Sequence, residues 1–279
     1  MKYEINGQTK VIGRFHSINS SRGLNIYNPL FIELGINSVY LLFYNKNPKI
    51  LFDGLRNLNL MGAITVGFET DKRLAQLVDK FDDVSKYLGK VGFVKNIKGV
   101  LHAYYQGGEG MYRTIRHVTQ IKNKKMIIVG AGQVAKALLF IMNKFNDTPT
   151  EVVIYNRDLK KAKNLSKEYK FIKNTYSLNK LINAKGDILV NLTNLGGDVK
   201  DNLFNKEIVG KYKTIIDVTF ETENTNLIKL AKKLKKTYST GWDMFAYQGQ
   251  VVLETLLDTK IPYNVLKKHV RNGLRHVVK

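Results

Sequence analysis

Cysteine is absent from this 279-residue chain, which excludes disulfides, thiolate metal sites and a cysteine nucleophile. Acidic residues are also scarce: 23 Asp and Glu stand against 45 Lys and Arg, a formal net charge of +22. A field of that sign attracts phosphorylated ligands, anionic lipid or nucleic acid. The lysines are spread along the whole chain with no basic-aromatic module or zinc-finger spacing, so nucleic acid is not the expected partner. No stretch approaches the roughly 20 apolar residues of a membrane span, and Met1 to Asn6 carries no apolar signal core. A cytoplasmic protein without membrane attachment is the expectation. His102, His117, His269 and His276 show no metal-ligand spacing with acids, so no metal site is expected.

What is present is enough for packed cores: 44% hydrophobic and 10% aromatic residues. The length suits two domains of roughly 100–200 residues each. Lys10 to Gly13 reads as a first strand, and Pro29 to Leu34 as a helix stopped by Gly35. Val39 to Tyr44 has the continuous apolar, β-rich character of a buried parallel strand. A helix over Leu51 to Leu60 and a strand over Gly62 to Val66 continue a β/α alternation, which implies a mostly parallel sheet with right-handed crossovers. A glycine-rich stretch, Gln106 to Gly110, and the basic connector Lys122 to Lys125 precede a second unit. There strands at Met126 to Val129, Val152 to Tyr155, Ile188 to Val190 and Ile215 to Val218 interleave with helices at Val134 to Phe145 and Leu159 to Tyr169. This is a doubly wound nucleotide-binding pattern. From Asp243 onward the tail is helical in period.

The second unit opens on Gly130-Ala131-Gly132-Gln133-Val134-Ala135, a Gly-x-Gly-x-x-Ala turn between a buried strand and an apolar helix. The first glycine permits the tight turn, the second lets a pyrophosphate approach the backbone, and the small Ala135 lets the helix pack on its strand. The helix N-terminus then offers free N–H groups to phosphate. After the next strand come Asn156-Arg157-Asp158, with Lys160, Lys161 and Lys163 close behind. A cationic patch there suits a 2′-phosphate and therefore NADP, whereas Asp158 suits the ribose hydroxyls of NAD. NADP is the expected cofactor, with NAD the alternative.

Asn156-Arg157 followed by Lys161-Ala162 and Leu165 resembles the cofactor signature of the shikimate dehydrogenase family. Asn191 to Gly196 is similar to that family's Asn-x-Thr-x-x-Gly turn, Thr225 to Ile228 to its Thr-Pro-Leu-Leu helix start, and Gly241 to Gln248 to its Gly-x-x-Met-Leu-x-x-Gln segment. In the first half, His16-Ser17 resembles its His-Ser loop, and Asn28 and Tyr40 follow its spacing around Gly35. The resemblance implies an α/β protein of two domains: a substrate-type domain of residues 1–107 with 243–279, of parallel or mixed sheet, and a Rossmann dinucleotide domain of residues 108–242. A small-molecule substrate would lie in the cleft between them, in a monomer or homodimer. It also implies cofactor contacts at Thr193, Asn194, Val218, Gly241 and Met244, besides the glycine turn. Substrate contacts would come from Thr65, Tyr105 and Gln248, and from Ser17 or Asn19 in an altered loop where Ser20 and Ser21 are rival matches.

The departures from the family pattern are informative. Glu69 stands where the catalytic lysine belongs, Gly107 where the catalytic aspartate belongs, and Lys95 where a substrate-binding asparagine is usual. In the family those two groups assist the proton transfer that accompanies hydride transfer, work worth about 10²–10⁴-fold in rate. Glycine supplies none of it, and a carboxylate opposes a developing alkoxide. Two readings follow. One is an oxidoreductase acting on something other than shikimate, with Glu69 and Lys95 as a relocated acid–base pair that would suit a cationic or imine substrate. The other is an inactive dinucleotide-binding protein with a sensing or partner-binding role, in which Glu69 and Lys95 form an ion pair filling a vacated pocket.

Overall fold

The computed structural model describes residues 4–16, 22–66, 68, 72–195 and 203–275. Two compact units emerge, Met1–Gln106 with Gln248–Lys279, and Gly107–Tyr247. The expected bounds at 107 and 242 differ from these by one and five residues, because a continuous helix runs through each boundary.

The first unit contains β1 (Lys10–His16), α1 (Leu24–Leu34), β2 (Ser38–Tyr44), α2 (Pro48–Asn57), β3 (Gly62–Val66), β4 (Lys80–Phe81), α3 (Asp83–Leu88), β5 (Phe93–Ile97) and β6 (Val100–Tyr104). Its sheet has the order β2-β1-β3-β5-β6-β4. β1 pairs parallel with β2 and β3, while β5 and β6 form an antiparallel hairpin. Lys98 and Gly99 both adopt positive φ, 53° and 86°, the twist a two-residue hairpin turn requires.

Three local expectations are corrected. α1 begins five residues before Pro29 and keeps it inside the helix. A proline there forfeits one main-chain bond, offset by burial of Ile26, Tyr27, Leu30 and Phe31. The Asn28 amide further clamps α1 to β2, donating to the Tyr40 carbonyl at 3.0 Å and accepting from its N–H at 2.7 Å. The helix does end at a left-handed Gly35 (φ 63°). β2 is parallel, as its composition implies, but it is the sheet edge instead of a buried strand: Leu41 is 40% and Tyr44 55% exposed. α2 likewise starts earlier than expected, with Pro48 in its first turn and Asn47 as its cap.

The second unit runs through α4 (Gln106–Val118), β7 (Lys125–Val129), α5 (Gln133–Lys144), β8 (Glu151–Tyr155), α6 (Leu159–Glu168), β9 (Ile172–Tyr176), β10 (Ile188–Asn191), α7 (Lys206–Gly210), β11 (Thr214–Asp217), α8 (Asn226–Lys233), β12 (Thr237–Ser239) and the start of α9 (Gly241–Leu257). Every pairing is parallel, in the order β12-β11-β10-β7-β8-β9. This is the Rossmann arrangement. Both sheet faces are covered: Met126 and Ile128 pack with Leu138 of α5 and Leu165 of α6, whereas Ile127 and Val129 pack with Leu227 of α8. β9 and β12 escape a reading from periodicity because they are short, edgeward and largely polar. The rest of α9 and α10 (Tyr263–Arg275) belong to the first unit. Among the described residues no helix is long and apolar enough to cross a membrane.

Candidate functional site

The expected cofactor residues of the second unit gather at the carboxyl ends of β7, β8, β10 and β11, the edge where open α/β sheets bind ligands. Gly130 leaves β7 at φ 110°, and a Cβ there would lie 2.9 Å from Thr193 Cγ2 and 3.0 Å from the Leu192 carbonyl. Glycine is therefore obligatory at that turn. Gly132 differs in kind. It caps α5 with no side-chain hydrogen bond, and a Cβ there would meet nothing within 4 Å. An exposed helix N-terminus opening on free space is the cradle a pyrophosphate needs. Ala131 and Ala135 are buried against the core below it, Val134 is half-buried, and Gln133 is exposed.

Asn156 ties the second strand to this turn. Its side-chain oxygen accepts from the Ala131 N–H at 3.1 Å, and its amide nitrogen donates to the Asp158 carbonyl at 2.7 Å. Asp158 caps α6, accepting from the N–H groups of Lys160 (3.0 Å) and Lys161 (3.3 Å). One oxygen of its carboxylate is thus engaged by the helix. Arg157, Lys160 and Lys161 are exposed. Lys161 stands 3.9 Å from Asp158, while Arg157 and Lys160 have no ion-pair partner among the described residues.

Beyond β10 the Asn191 side-chain oxygen accepts from the N–H and hydroxyl of Thr193, at 3.2 and 2.7 Å. Asn194 is exposed beside it, and Gly196 lies outside the described residues. The sequence reading missed the group beneath this turn. Asp217 is fully buried and accepts from Thr225 Oγ1 (2.6 Å), Asn191 Nδ2 (3.0 Å) and the Thr219 N–H (3.2 Å). Burial pushes its carboxyl above the usual range, while those hydrogen bonds pull the other way. The available signal was an acid closing an apolar strand. Val218 follows it, half-buried. Gly241 fits where a Cβ would lie 2.2 Å from the Thr219 carbonyl, and Met244 packs into the core with Ala131 and Ala135.

The substrate-type residues of the first unit are less unified. Thr65, at the end of β3, is buried and donates its hydroxyl to the Val91 carbonyl at 2.6 Å. Lys95 pairs with Gly62 across β3 and β5, and Ala63 with Val94, so the pleat puts Thr65 and Lys95 on opposite sheet faces. Lys95 Nζ meets Asp258 at 2.6 Å and the Thr255 carbonyl at 2.8 Å, capping the end of α9. Tyr105 and Gln248 are half-buried. Ser17, Asn19 and Glu69 lie outside the described residues. Gly107 is buried in the first turn of α4, and the neighbouring Glu109 is engaged by Arg113 at 2.7 Å. Among the described residues no group of three His, Asp or Glu is placed to hold a metal.

A phosphate-cradling turn in an all-parallel sheet of this order defines a Rossmann-type dinucleotide-binding protein. Comparison narrows the class. The family model for shikimate / quinate 5-dehydrogenase matches residues 114–217. The shikimate dehydrogenase (NADP(+)) of Methanobrevibacter smithii is 30% identical over 286 residues, covering 97% of this chain and 99% of its own. That of Pyrococcus furiosus is 28% identical over 247 residues, with 88% and 89% covered. A shikimate dehydrogenase crystallised with NADP+ matches at a TM-score of 0.82 and 25% identity, over 98% of this chain and 99% of that one. The chain belongs to the shikimate dehydrogenase family of oxidoreductases.

Proposed function

We propose that the chain is an NADP-dependent oxidoreductase acting on a substrate other than shikimate. The observation that carries the cofactor is the open space at Gly132 beside an uncapped α5, with Arg157 and Lys160, which have no ion-pair partner among the described residues, beyond the adjacent strand. The named NADP(+) relatives support the same choice. Gly130, Gly132 and the first N–H groups of α5 would hold the pyrophosphate, and Arg157 with Lys160 and Lys161 the 2′-phosphate. The bound dinucleotide would supply the hydride. Asn191, Thr193 and Asp217 keep the turn below it rigid, so that carbonyls and N–H groups there are fixed in direction.

The change of substrate rests on residues. With Glu69 and Gly107 at the positions of the family's lysine and aspartate, the usual proton donor to a ketone oxygen is missing and a negative charge replaces a positive one. Glu69 is left as the candidate acid or base. Lys95, held by Asp258 and Thr255, reads as a strut for α9.

A binding protein without turnover is the second reading, favoured by the commitment of both Thr65 and Lys95 to structural hydrogen bonds. Reduced-cofactor oxidation by purified protein, followed with dehydroshikimate and with a panel of other oxo acids and imines, separates the readings. NADPH binding together with consumption by a member of the panel supports an enzyme, and binding without any consumption supports the second reading. Brisk reduction of dehydroshikimate would overturn the proposed change of substrate.

A further inference from the structure

A cation without an ion-pair partner among the described residues stands in the carboxyl half of β1. Arg14 pairs with Leu42 of β2 and Ile64 of β3, and its side chain is half-buried on the sheet face it shares with Ile12. Its Nε is buried with no hydrogen-bond partner, and the guanidinium forms no ion pair among the described residues. Leaving a desolvated charge uncompensated is costly, and arginine cannot shed its proton to escape that cost.

The surroundings are phenolic. Tyr27 and Tyr40 are buried, their rings 4.9 Å apart, and both lie in the field of Arg14. Burial holds the Tyr27 phenol up at about 12, with Arg14 pulling it back down, so it stays a neutral donor at any ordinary pH. The Tyr27 oxygen abuts α9: a Cβ on Gly249 would lie 3.0 Å from it. Gly249 is the neighbour of Gln248, the expected substrate contact. The Tyr40 oxygen approaches Gly23 in the same way, at 2.9 Å from a Cβ built there. Arg14 thus lies in the carboxyl half of a parallel strand, toward the edge where such sheets bind ligands, with two buried phenols in its field.

We infer that Arg14 is a specificity-determining residue that receives a carboxylate of the substrate, with the buried phenols of Tyr27 and Tyr40 packed behind it. A planar carboxylate matches the two-pronged face of a guanidinium and supplies the missing counter-charge. This deepens the reading of the chain as an oxidoreductase: the substrate is an oxo or hydroxy acid, and position 14 selects the acid.

The test uses the full chain saturated with NADP+ and calorimetric titration of cyclic hydroxy acids, shikimate and quinate among them, each against its methyl ester. At least one acid should bind the natural protein roughly tenfold or more tightly than its ester, about the discrimination one charge-assisted pair supplies. Arg14→Gln should reduce that ratio to about unity, and Arg14→Lys should retain part of it. The NADP+ affinity of each variant, set in the other unit, should stay unchanged, and an unchanged melting transition of the full chain serves as the folding control. Lack of any preference for acid over ester in the natural protein would overturn the inference, as would an undiminished preference in Arg14→Gln. Failure of NADP+ to bind the natural protein would instead defeat the cofactor reading.

Discussion

The Asn156 side chain holds the Ala131 N–H at 3.1 Å, so the end of one Rossmann strand fixes the glycine turn that follows its neighbour. Asn156 thereby positions the turn, and Arg157, next in the chain, is left outside it and exposed. A positioning residue and, on the proposed reading, a charge-recognising one sit side by side in a single dipeptide, and their substitution should have different consequences.

Arg157→Ala should weaken NADP+ by roughly tenfold or more, the value of a charge-assisted hydrogen bond to phosphate, and leave NAD+ within about twofold. Asn156→Ala should weaken both dinucleotides alike, because it loosens the turn beneath the shared pyrophosphate. Fluorescence titration of the four combinations checks this, and equal loss of both cofactors in Arg157→Ala would remove the 2′-phosphate assignment.

Gly132→Asp places a carboxylate in the open space beside α5. Like charges brought together at a binding site cost several kcal/mol, so NADP+ affinity should fall on the order of a hundredfold or more with little change in melting temperature. Gly130→Ala should behave oppositely. Its φ of 110° and the 2.9 Å approach to Thr193 strain the fold itself, and the melting temperature should drop. Paired melts and titrations distinguish the two, and unchanged NADP+ affinity in Gly132→Asp would refute the cofactor site.

Much of this second unit was legible in the sequence because a single chemical demand, phosphate against backbone, restricts residue types at fixed spacing. The apolar strand, the glycines and Ala135 all answer to it. The Asp217 network was not legible: a carboxylate at a strand end looks exposed until Thr225, eight residues along the chain, is seen to close over it at 2.6 Å. The first unit was harder for the same reason. Pro29 reads as a helix start, and only the pairing of Asn28 with Tyr40 explains why the helix runs through it. Lys95 reads as a partner for Glu69, and only the pleat and the end of α9 show that it bonds to Asp258. Arg14 carries no sequence signal at all. Its interest arises from what surrounds it.

Asp217 gives a pH dependence whose sign follows from its environment. Burial raises its folded-state carboxyl above the unfolded value, so the native state holds this proton more tightly than the unfolded chain. Its contribution is fully present below the unfolded value and is lost as pH rises through the folded one. Asp217→Asn removes the titration while keeping an acceptor for Asn191 and Thr219. Between natural protein and variant, the difference in melting temperature should therefore shift in the variant's favour as pH rises from about 4 toward neutrality. A difference that stays flat over that window would mean the carboxylate is as well solvated by its hydrogen bonds as by water.

Lys95 provides the last test, because a strut and a catalyst respond differently to the loss of Asp258. Asp258 ends α9 in a left-handed conformation (φ 50°) and is largely exposed, 76% for its side chain, whereas the lysine is only 14% exposed. Screening limits the ion pair itself to about 0.5 kcal/mol. Lys95→Met also abandons the Thr255 carbonyl, adding about 1 kcal/mol. The stability losses should then rank Lys95→Met above Asp258→Asn, with the double variant no worse than Lys95→Met alone, as expected of two residues sharing one bond. Denaturant melts of the four proteins measure that coupling. If instead Asp258→Asn leaves stability untouched while Lys95→Met abolishes turnover on any substrate found, the lysine belongs to the chemistry and the strut is secondary.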